Sequence, residues 1–155
     1  MNFEMRPYKP EEFERACQVR GLVASDAQER FRVRFNASGL WLDHYLHFAL
    51  ICDEQLIGDI QLRHCDKTMP DGSGHIGIDI AEDKRGKGAG TAALKLAWEW
   101  AVANGFHRLE GSTSDENIAM QKAFKKAGWE YEGRLRKLFM QDGVGIDYLS
   151  FAKTI

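Results

Sequence analysis

The sequence predicts one mixed α/β (α+β) domain, with a central sheet that is mixed but mostly antiparallel and is flanked by helices. Two pairs of strand-like segments are each joined by a short polar turn, at residues 53–55 and 142–145, which is typical of antiparallel hairpins. Between the pairs, a strand, a helix and a second strand follow one another, and this order predicts a parallel crossover. The chain has 155 residues, the usual size of one domain, so we assign residues 1–155 to a single domain.

The first part of the chain predicts a short strand followed by two helices. Residues 3–8 can form the strand, and Pro10 with the two glutamates after it is typical of a helix start. Gly21 ends this first helix. We expect Ser25–Asp26 to cap a second helix over residues 27–37, because short oxygen-bearing side chains accept the free N–H groups of a first turn.

The next part predicts the first hairpin. Residues 40–46 are rich in aromatic side chains and fit either a short helix or a loop. Residues 47–53 and 56–63 have the pattern of paired strands, and Gly58 marks a candidate bulge. Residues 64–73 contain a Pro-Asp-Gly turn signal, so we expect a connecting loop there.

The central segment predicts a strand, a glycine-rich turn and a long helix. Residues 75–81 place isoleucine at every second position, which is a strand pattern. Apolar residues then recur at helical spacing from about Gly88 until Asn104–Gly105 stops the helix. Residues 106–112 predict a further strand, which is parallel to the central one because a helix connects the two.

The last part predicts one more helix and the second hairpin. Asp115–Asn117 opens a helix that Gly128 ends. Residues 135–141 and 146–153 are then expected to pair as strands.

Composition and charge exclude several classes of protein. The formal net charge of −2 argues against a general nucleic-acid binder. No apolar run reaches the length of about 18 residues that a membrane span needs. Residues 1–6 lack the apolar segment that is typical of a signal peptide, so we expect none. The three cysteines have no CxxC spacing, which favours reduced thiols in a cytoplasmic protein, and no metal site is predicted.

The turn from Arg85 to Thr91 has the composition of a phosphate-binding loop. A helix start presents unpaired N–H groups and the positive end of the helix dipole, while the glycines let the backbone approach a ligand. The Walker A spacing fails because Gly88 follows Gly86–Lys87 where Ser or Thr is required, and the Rossmann Gly-x-Gly-x-x-Gly spacing also fails. A different nucleotide or phosphate binder remains an alternative at this point.

The segment Arg85–Gly90 reads Arg-x-x-Gly-x-Gly, and residues 114–129 carry an Asn, a small residue, an aromatic residue and a final Gly-aromatic pair at matching intervals. Together they resemble the signature of the GNAT N-acetyltransferases. The terminal segments 132–134 and 142–148 look most like the branch that acetylates ribosomal-protein N-termini. The resemblance implies that acetyl-CoA is bound by Ile78, Asp79, Ile80, Arg85, Gly86, Lys87, Gly88, Ala89, Gly90, Thr91, Asn117 and Phe124.

Phe124 is the main departure from the family pattern. This position is often Tyr in the family, and its hydroxyl can protonate the departing CoA thiolate. Phenylalanine has no donor, so that role does not carry over to this chain. The thiolate would then be protonated by water or another group, or leave as the anion.

The resemblance implies direct attack of an amine on the thioester, with a backbone N–H of the 78–80 strand polarising the carbonyl. His75 stands where many relatives carry a Glu and is our first candidate base, and Asp79 on the same strand face is the second. Asp59 and Asp66 are candidates for an acidic acceptor site. Further candidates for the acceptor pocket are Trp41, His44 and Tyr45.

The predicted function is acetyl-CoA-dependent transfer of an acetyl group to a primary amine, either a small molecule or a protein N-terminal α-amine. The alternative is a catalytically weak CoA-binding module or sensor of the same fold. We expect no membrane and no nucleic-acid partner, and the terminal hairpin is a candidate interface for a homodimer.

Overall fold

The computed structural model describes residues 1–155. Its strands are β1 (Phe3–Arg6), β2 (Tyr45–Cys52), β3 (Gln55–Arg63), β4 (Ser73–Ile80), β5 (Arg108–Ser114), β6 (Glu130–Gln141) and β7 (Val144–Thr154). Its α-helices are α1 (Phe13–Val19), α2 (Ser25–Asn36), α3 (Ala89–Ala103) and α4 (Ile118–Lys126), and short 3₁₀ turns lie at Pro10–Glu12 and Glu82–Lys84. None of the helices combines the length and the apolar composition needed to cross a bilayer.

All seven strands form one sheet in the order β1-β2-β3-β4-β5-β7-β6. Only β4 and β5 run parallel, and every other neighbouring pair is antiparallel. The parallel pair is the one that α3 connects, as the crossover argument predicts. The mixed, mostly antiparallel sheet is therefore confirmed.

The parallel pair β4–β5 stays together over only three residues. Ser73–His75 pairs with Arg108–Glu110, and the two strands then part. Beyond that point Ile76–Ile80 remains bonded to β3 on one edge, while Gly111–Ser114 remains bonded to β7. The sheet thus has an opening between the carboxyl ends of β4 and β5.

The two faces of the sheet bury separate apolar cores. On one face, α3 and α4 pack on a cluster that includes Ile60, Leu62 and Ile76. On the other face, α1 and α2 pack on a smaller cluster that includes Phe31 and Phe35. The opening between β4 and β5 interrupts the sheet that separates these two faces. It can therefore be reached from both the α3/α4 side and the α1/α2 side, and side chains of β4 point to each side in alternation.

Three local expectations need adjustment. Ser25 and Asp26 do not cap α2; they lie in its first turn, and Ala24 is the capping position without a side-chain bond. The ambiguous segment 40–46 is a loop up to Tyr45, where β2 begins. The bulge predicted at Gly58 lies beside it, because Leu50 and Ile51 pair with Gly58 and Leu56 and leave one β3 residue unpaired.

The last hairpin is longer than the sequence pattern suggests. β6 starts at Glu130 and lies at the edge of the sheet, and nearly all of its residues are exposed. An edge strand with both faces in solvent needs no alternation of apolar and polar residues. The first half of β6 therefore lacks the alternating pattern by which a strand is predicted from sequence.

Candidate functional site

The opening between β4 and β5 is the floor of a cleft of about 690 Å³. Its walls are the β4 segment Ile76–Ile80, the β4–α3 loop with the first turn of α3, the end of β5 and the first turns of α4. An antiparallel strand alternates its backbone groups between its two edges. Half of the N–H and C=O groups of Ile76–Ile80 therefore point toward β5, but β5 has separated from β4 there and does not pair with them.

The start of α3 presents free backbone donors to this cleft. The first intrahelical bond is made by the N–H of Ala92 to the carbonyl of Gly88, and no side chain caps the helix. The N–H groups of Ala89, Gly90 and Thr91 precede that bond and so have no helical acceptor. With the positive end of the dipole of this 15-residue helix, they make an anion site.

Two glycines give the loop its shape and its open surface. Gly86 and Gly88 have φ of 75° and 84°, a region that other residues adopt only with strain. A Cβ at either position would meet no atom within 4 Å, so the space in front of them is open. A ligand can therefore approach the loop backbone closely.

Arg85 is the basic side chain that the loop holds at the cleft. Its Nε donates to the carbonyl oxygen of Ile80 at 3.1 Å, and it has no carboxylate partner. Lys87 lies outside the cleft and lines a separate surface pocket with Lys84. The free donors, the open loop and the unpaired guanidinium fit the pyrophosphate of CoA.

Asn117 closes the other wall of the cleft at the start of α4. Its Oδ1 accepts the N–H of Met120 at 3.1 Å, so it is the N-cap of the helix. Its amide nitrogen has no protein acceptor and remains free for a ligand. Gly90 of α3 faces α4, since a Cβ there would lie in ordinary van der Waals contact with the sulfur of Met120, at 3.4 Å.

Phe124 lines the inner part of the cleft and is also a core residue. Only 2% of it is exposed, and its ring stacks on Phe151 with centroids 4.6 Å apart. A Cβ on Gly111 of β5 would lie 3.1 Å from its Cζ. The ring is therefore clamped between α4 and the sheet.

We expect Phe124→Tyr to leave the CoA affinity within about threefold of the parent value. The added hydroxyl extends from Cζ beside the Gly111 backbone, so the cost should be overpacking of about 1 kcal/mol in stability. Calorimetric titration with CoA and a thermal melt measure the two effects, with the exposed Phe139→Tyr as control. A large loss of affinity would mean that the ring itself shapes the thioester site.

Asp79 lies at the α1 side of the opening. Its Oδ2 accepts Nε2 of Gln61 at 2.8 Å and faces Nε of Arg20 at 3.4 Å. Oδ1 has no protein donor, and the side chain is 41% exposed. Asp79 therefore offers one free carboxylate oxygen at the edge of the cleft.

His75 is not among the residues that line the cleft. It lies where β4 and β5 are still paired, and its Nε2 contacts a carboxylate oxygen of Glu110. Glu110 also accepts from Arg108, whose pKa is raised first by its bonds to Glu132 and then by those to Glu110. The structure thus brings Asp79 to the opening and leaves His75 in an ion-pair cluster below it.

The remaining acceptor-site candidates are scattered. Trp41 packs near Trp100 and Phe106, and His44 lies in a tight turn with positive φ. The guanidinium groups of Arg34 and Arg63 lie 3.8 Å and 5.6 Å from the centre of the Tyr45 ring. Asp66 is exposed and pairs with His64, whereas Asp59 is completely buried.

Sequence reasoning missed the polar groups around two carboxylates. Gln61 and Arg20 contact Asp79, while Tyr8, His47 and Gln61 contact the buried Asp59. One signal was available, because Asp59, Gln61 and Arg63 alternate with apolar residues along β3 and so share one face. The contacts from Arg20, just after α1, and from Tyr8, beyond the end of β1, had no such signal.

The family described as an acetyltransferase (GNAT) domain matches residues 2–130 of this chain. The probable N-acetyltransferase YjcK of Bacillus subtilis (strain 168) is 28% identical over 123 residues, which are 77% of this chain and 67% of YjcK. The uncharacterized N-acetyltransferase YobR of the same strain is 40% identical over 63 residues, or 40% of this chain and 26% of YobR. This chain thus spans about a quarter of one relative and two thirds of the other.

Among solved structures, the ribosomal L7/L12 alpha-N-protein acetyltransferase RimL, in complex with coenzyme A, has a TM-score of 0.82 with this chain. The alignment covers 100% of this chain and 95% of RimL at 12% sequence identity. At that identity the likeness concerns the fold alone.

Proposed function

The chain belongs to the GNAT acetyltransferase family, and from this membership we propose that it transfers the acetyl group of acetyl-CoA to a primary amine. The observation that carries the proposal is the opening between β4 and β5. It connects an anion site at the start of α3 on one face with a carboxylate, Asp79, on the other. A donor and an acceptor can therefore meet through the sheet.

The residues of the α3/α4 side hold the donor. The N–H groups of Ala89–Thr91, the loop glycines and Arg85 bind the pyrophosphate, and the free amide of Asn117 binds the arm beyond it. Ile78–Ile80 supplies backbone groups along the open edge, where an N–H can polarise a carbonyl. Acetyl-CoA supplies the activated acetyl group.

Asp79 is the group that we assign to the amine. An alkylammonium has a pKa near 10 and must lose a proton before it can attack. The free Oδ1 can hold the ammonium and accept that proton, directly or through a water. His75, the other candidate base, would act only through a longer relay, because Glu110 engages it.

The leaving thiolate receives no proton from Phe124. A thiol has a pKa of about 8.5, so the CoA thiolate is a fair leaving group without a general acid. We therefore assign protonation of the thiolate to solvent. The same Phe124 is the observation in favour of the second candidate function, a CoA-binding module with little turnover.

The acceptor is a small-molecule amine or a peptide N-terminus, and we extend to this chain the α-amine acetylation that the name of RimL states. We also propose a homodimer through the terminal hairpin. Its support is the exposure of Tyr131, Phe139, Met140 and Val144 on β6 and β7.

Acetyl-CoA should raise the thermal stability of the protein, whereas ATP and NAD should not. A ligand at about 100 times its Kd stabilises by about 2.7 kcal/mol, which a thermal melt resolves easily for a domain of this size. A shift with ATP instead would contradict the assignment of the loop.

Turnover then separates the enzyme from the sensor. Release of free thiol from acetyl-CoA is followed with spermidine, phosphinothricin and a hexapeptide that begins with alanine, which represent cationic, carboxylate-bearing and peptide amines. Acceleration by any of them supports the transferase. Binding of acetyl-CoA without acceleration by a broad amine panel would favour the sensor.

A further inference from the structure

A buried carboxylate, Asp59, lies at the centre of a polar cluster on the α1/α2 face. It has no exposed surface, although it sits in the middle of β3. Tyr8 donates its hydroxyl to Oδ2, and Nε2 of Gln61 donates to Oδ1 at 2.6 Å. Nδ1 of His47 lies 3.2 Å from both oxygens. A buried ion is costly unless such partners compensate it.

The hydrogen-bond donors around Asp59 have one consistent arrangement. Burial, and then the negative charge of Asp59, raise the pKa of Tyr8 well above its ordinary value, so its hydroxyl stays a donor. A carboxylate only accepts, so His47 donates from Nδ1. Its Nε2 is buried without a partner. Tyr8, His47 and Gln61 thus all direct a donor at the oxygens of Asp59.

The cluster reaches the cleft through Gln61. Its Nε2 donates to Asp59 at 2.6 Å and to Asp79 at 2.8 Å, while its Oε1 accepts from Arg63 at 3.2 Å. If the Gln61 amide were flipped, its oxygen would face the oxygens of two carboxylates, where no donor is present. The amide therefore has only one favourable orientation. Gln61 is thus a rigid bridge between the buried carboxylate and the exposed one.

The placement of the two carboxylates has an electrostatic cost. Asp59 and Asp79 are directly opposite each other on β3 and β4, where like charges repel. Arg20 is the one cation close to both, at 3.4 Å from Asp79 and 4.0 Å from Asp59. Packing alone does not explain why a second carboxylate, and a buried one, lies opposite Asp79, because an apolar residue would fill the site at a lower cost.

We propose that Asp59 is a positioning residue for the acceptor amine. Through Gln61 it fixes the Asp79 carboxylate with Oδ2 turned toward the cluster and Oδ1 toward the opening. The proposal rests on the function proposed above, since it is Asp79 that meets the amine. Asp59 itself touches no substrate.

Asp59→Asn tests the proposal in an assay with acetyl-CoA and one acceptor. The acceptor is whichever of spermidine, phosphinothricin and the hexapeptide that begins with alanine the parent protein acetylates fastest. We expect kcat to fall about 10- to 100-fold, the cost of a misplaced catalytic group, while the Kd of acetyl-CoA stays within about twofold. Ile51→Ala is the matched control, because it weakens the same core cluster without removing a polar group. At a temperature where both variants are folded, the kcat of Ile51→Ala should change little.

A double-mutant comparison separates positioning from general damage. Because Asp59 acts through Asp79, Asp59→Asn should lower kcat no further when Asp79→Asn is already present. An equal loss in both backgrounds, or a kcat no lower than that of Ile51→Ala, would overturn the proposal. If Asp59→Asn does not fold, Gln61→Met breaks the same bridge and leaves Tyr8 and His47 on Asp59.

Crystal structures keep the two proposals apart. If the parent protein turns over none of the amines, the proposed function fails, and the positioning role is decided by the Asp79 side chain in the parent and in Asp59→Asn. A displaced or multiply oriented Asp79 carboxylate supports the role. An unchanged single rotamer contradicts it.

Discussion

Arg85→Glu combined with Gly88→Asp is expected to lower the affinity for CoA by about 100-fold or more while the domain stays folded. Charge-assisted hydrogen bonds contribute about 1.5–3 kcal/mol each, and the double variant removes the guanidinium and places two carboxylates at the anion site. The Asp side chain at the capping position also competes for the free N–H groups of α3. The loss should therefore come from the ligand site and not from unfolding.

The matched control carries the same changes on the terminal hairpin. Arg136→Glu with Gly143→Asp alters the net charge equally, and Gly143 has φ of 77° with no atom within 4 Å of a Cβ, as Gly88 has at 84°. Titration calorimetry with CoA, supported by thermal melts, compares the two proteins. Unchanged affinity in the Arg85/Gly88 variant would remove the loop from the CoA site.

The elements that build the proposed CoA side of the cleft could be predicted because their signals are local. The isoleucine alternation of β4, the glycines of the loop and the helical period of α3 lie within 33 consecutive residues, 73–105. Backbone groups provide most of the anion site, so the loop geometry is enough to define it.

The acceptor side could be predicted only in part, because long-range contacts define it. Asp79 was a candidate from its position on the strand, but its partners, Arg20 just after α1 and Gln61 on β3, are distant from it in the sequence. Asp59 was a candidate for the acceptor site, and its complete burial could not be predicted because burial is a property of the packed sheet. His75 has the right sequence position, and only the pairing of β4 with Glu110 of β5 reveals where it lies.

The two faces of the opening have different chemical characters, and this difference has a mechanistic consequence. The proposed anion site uses backbone N–H groups that no titration can remove, whereas the proposed acceptor side depends on one exposed carboxylate, Asp79, that is bonded to a buried cluster. Substitutions at Asp79 should therefore change the chemical step without changing the binding of CoA.

Asp79→Asn is expected to lower kcat by about 100-fold or more, within the usual range for a general base. The carbonyl oxygen of Asn can still accept from Gln61, so the side chain should keep its place and lose only its charge and basicity. The CoA affinity should stay within about twofold. Steady-state kinetics with the fastest amine and calorimetry with CoA measure the two quantities, and Asp142→Asn, in the hairpin turn where Asn tolerates positive φ, is the control.

The pH dependence of this loss distinguishes a base from a simple cation site. If Asp79 takes the proton, the deficit of Asp79→Asn should shrink from pH 7 to pH 9, because more of an amine with a pKa near 10 is then already neutral. If Asp79 only attracts the ammonium, the deficit should lie in KM and not in kcat. His75→Gln, measured in parallel, should leave kcat within about threefold because Glu110 engages the ring outside the cleft. A large loss with His75→Gln and none with Asp79→Asn would reverse the assignment and make His75 the base, acting through a relay that bypasses Asp79.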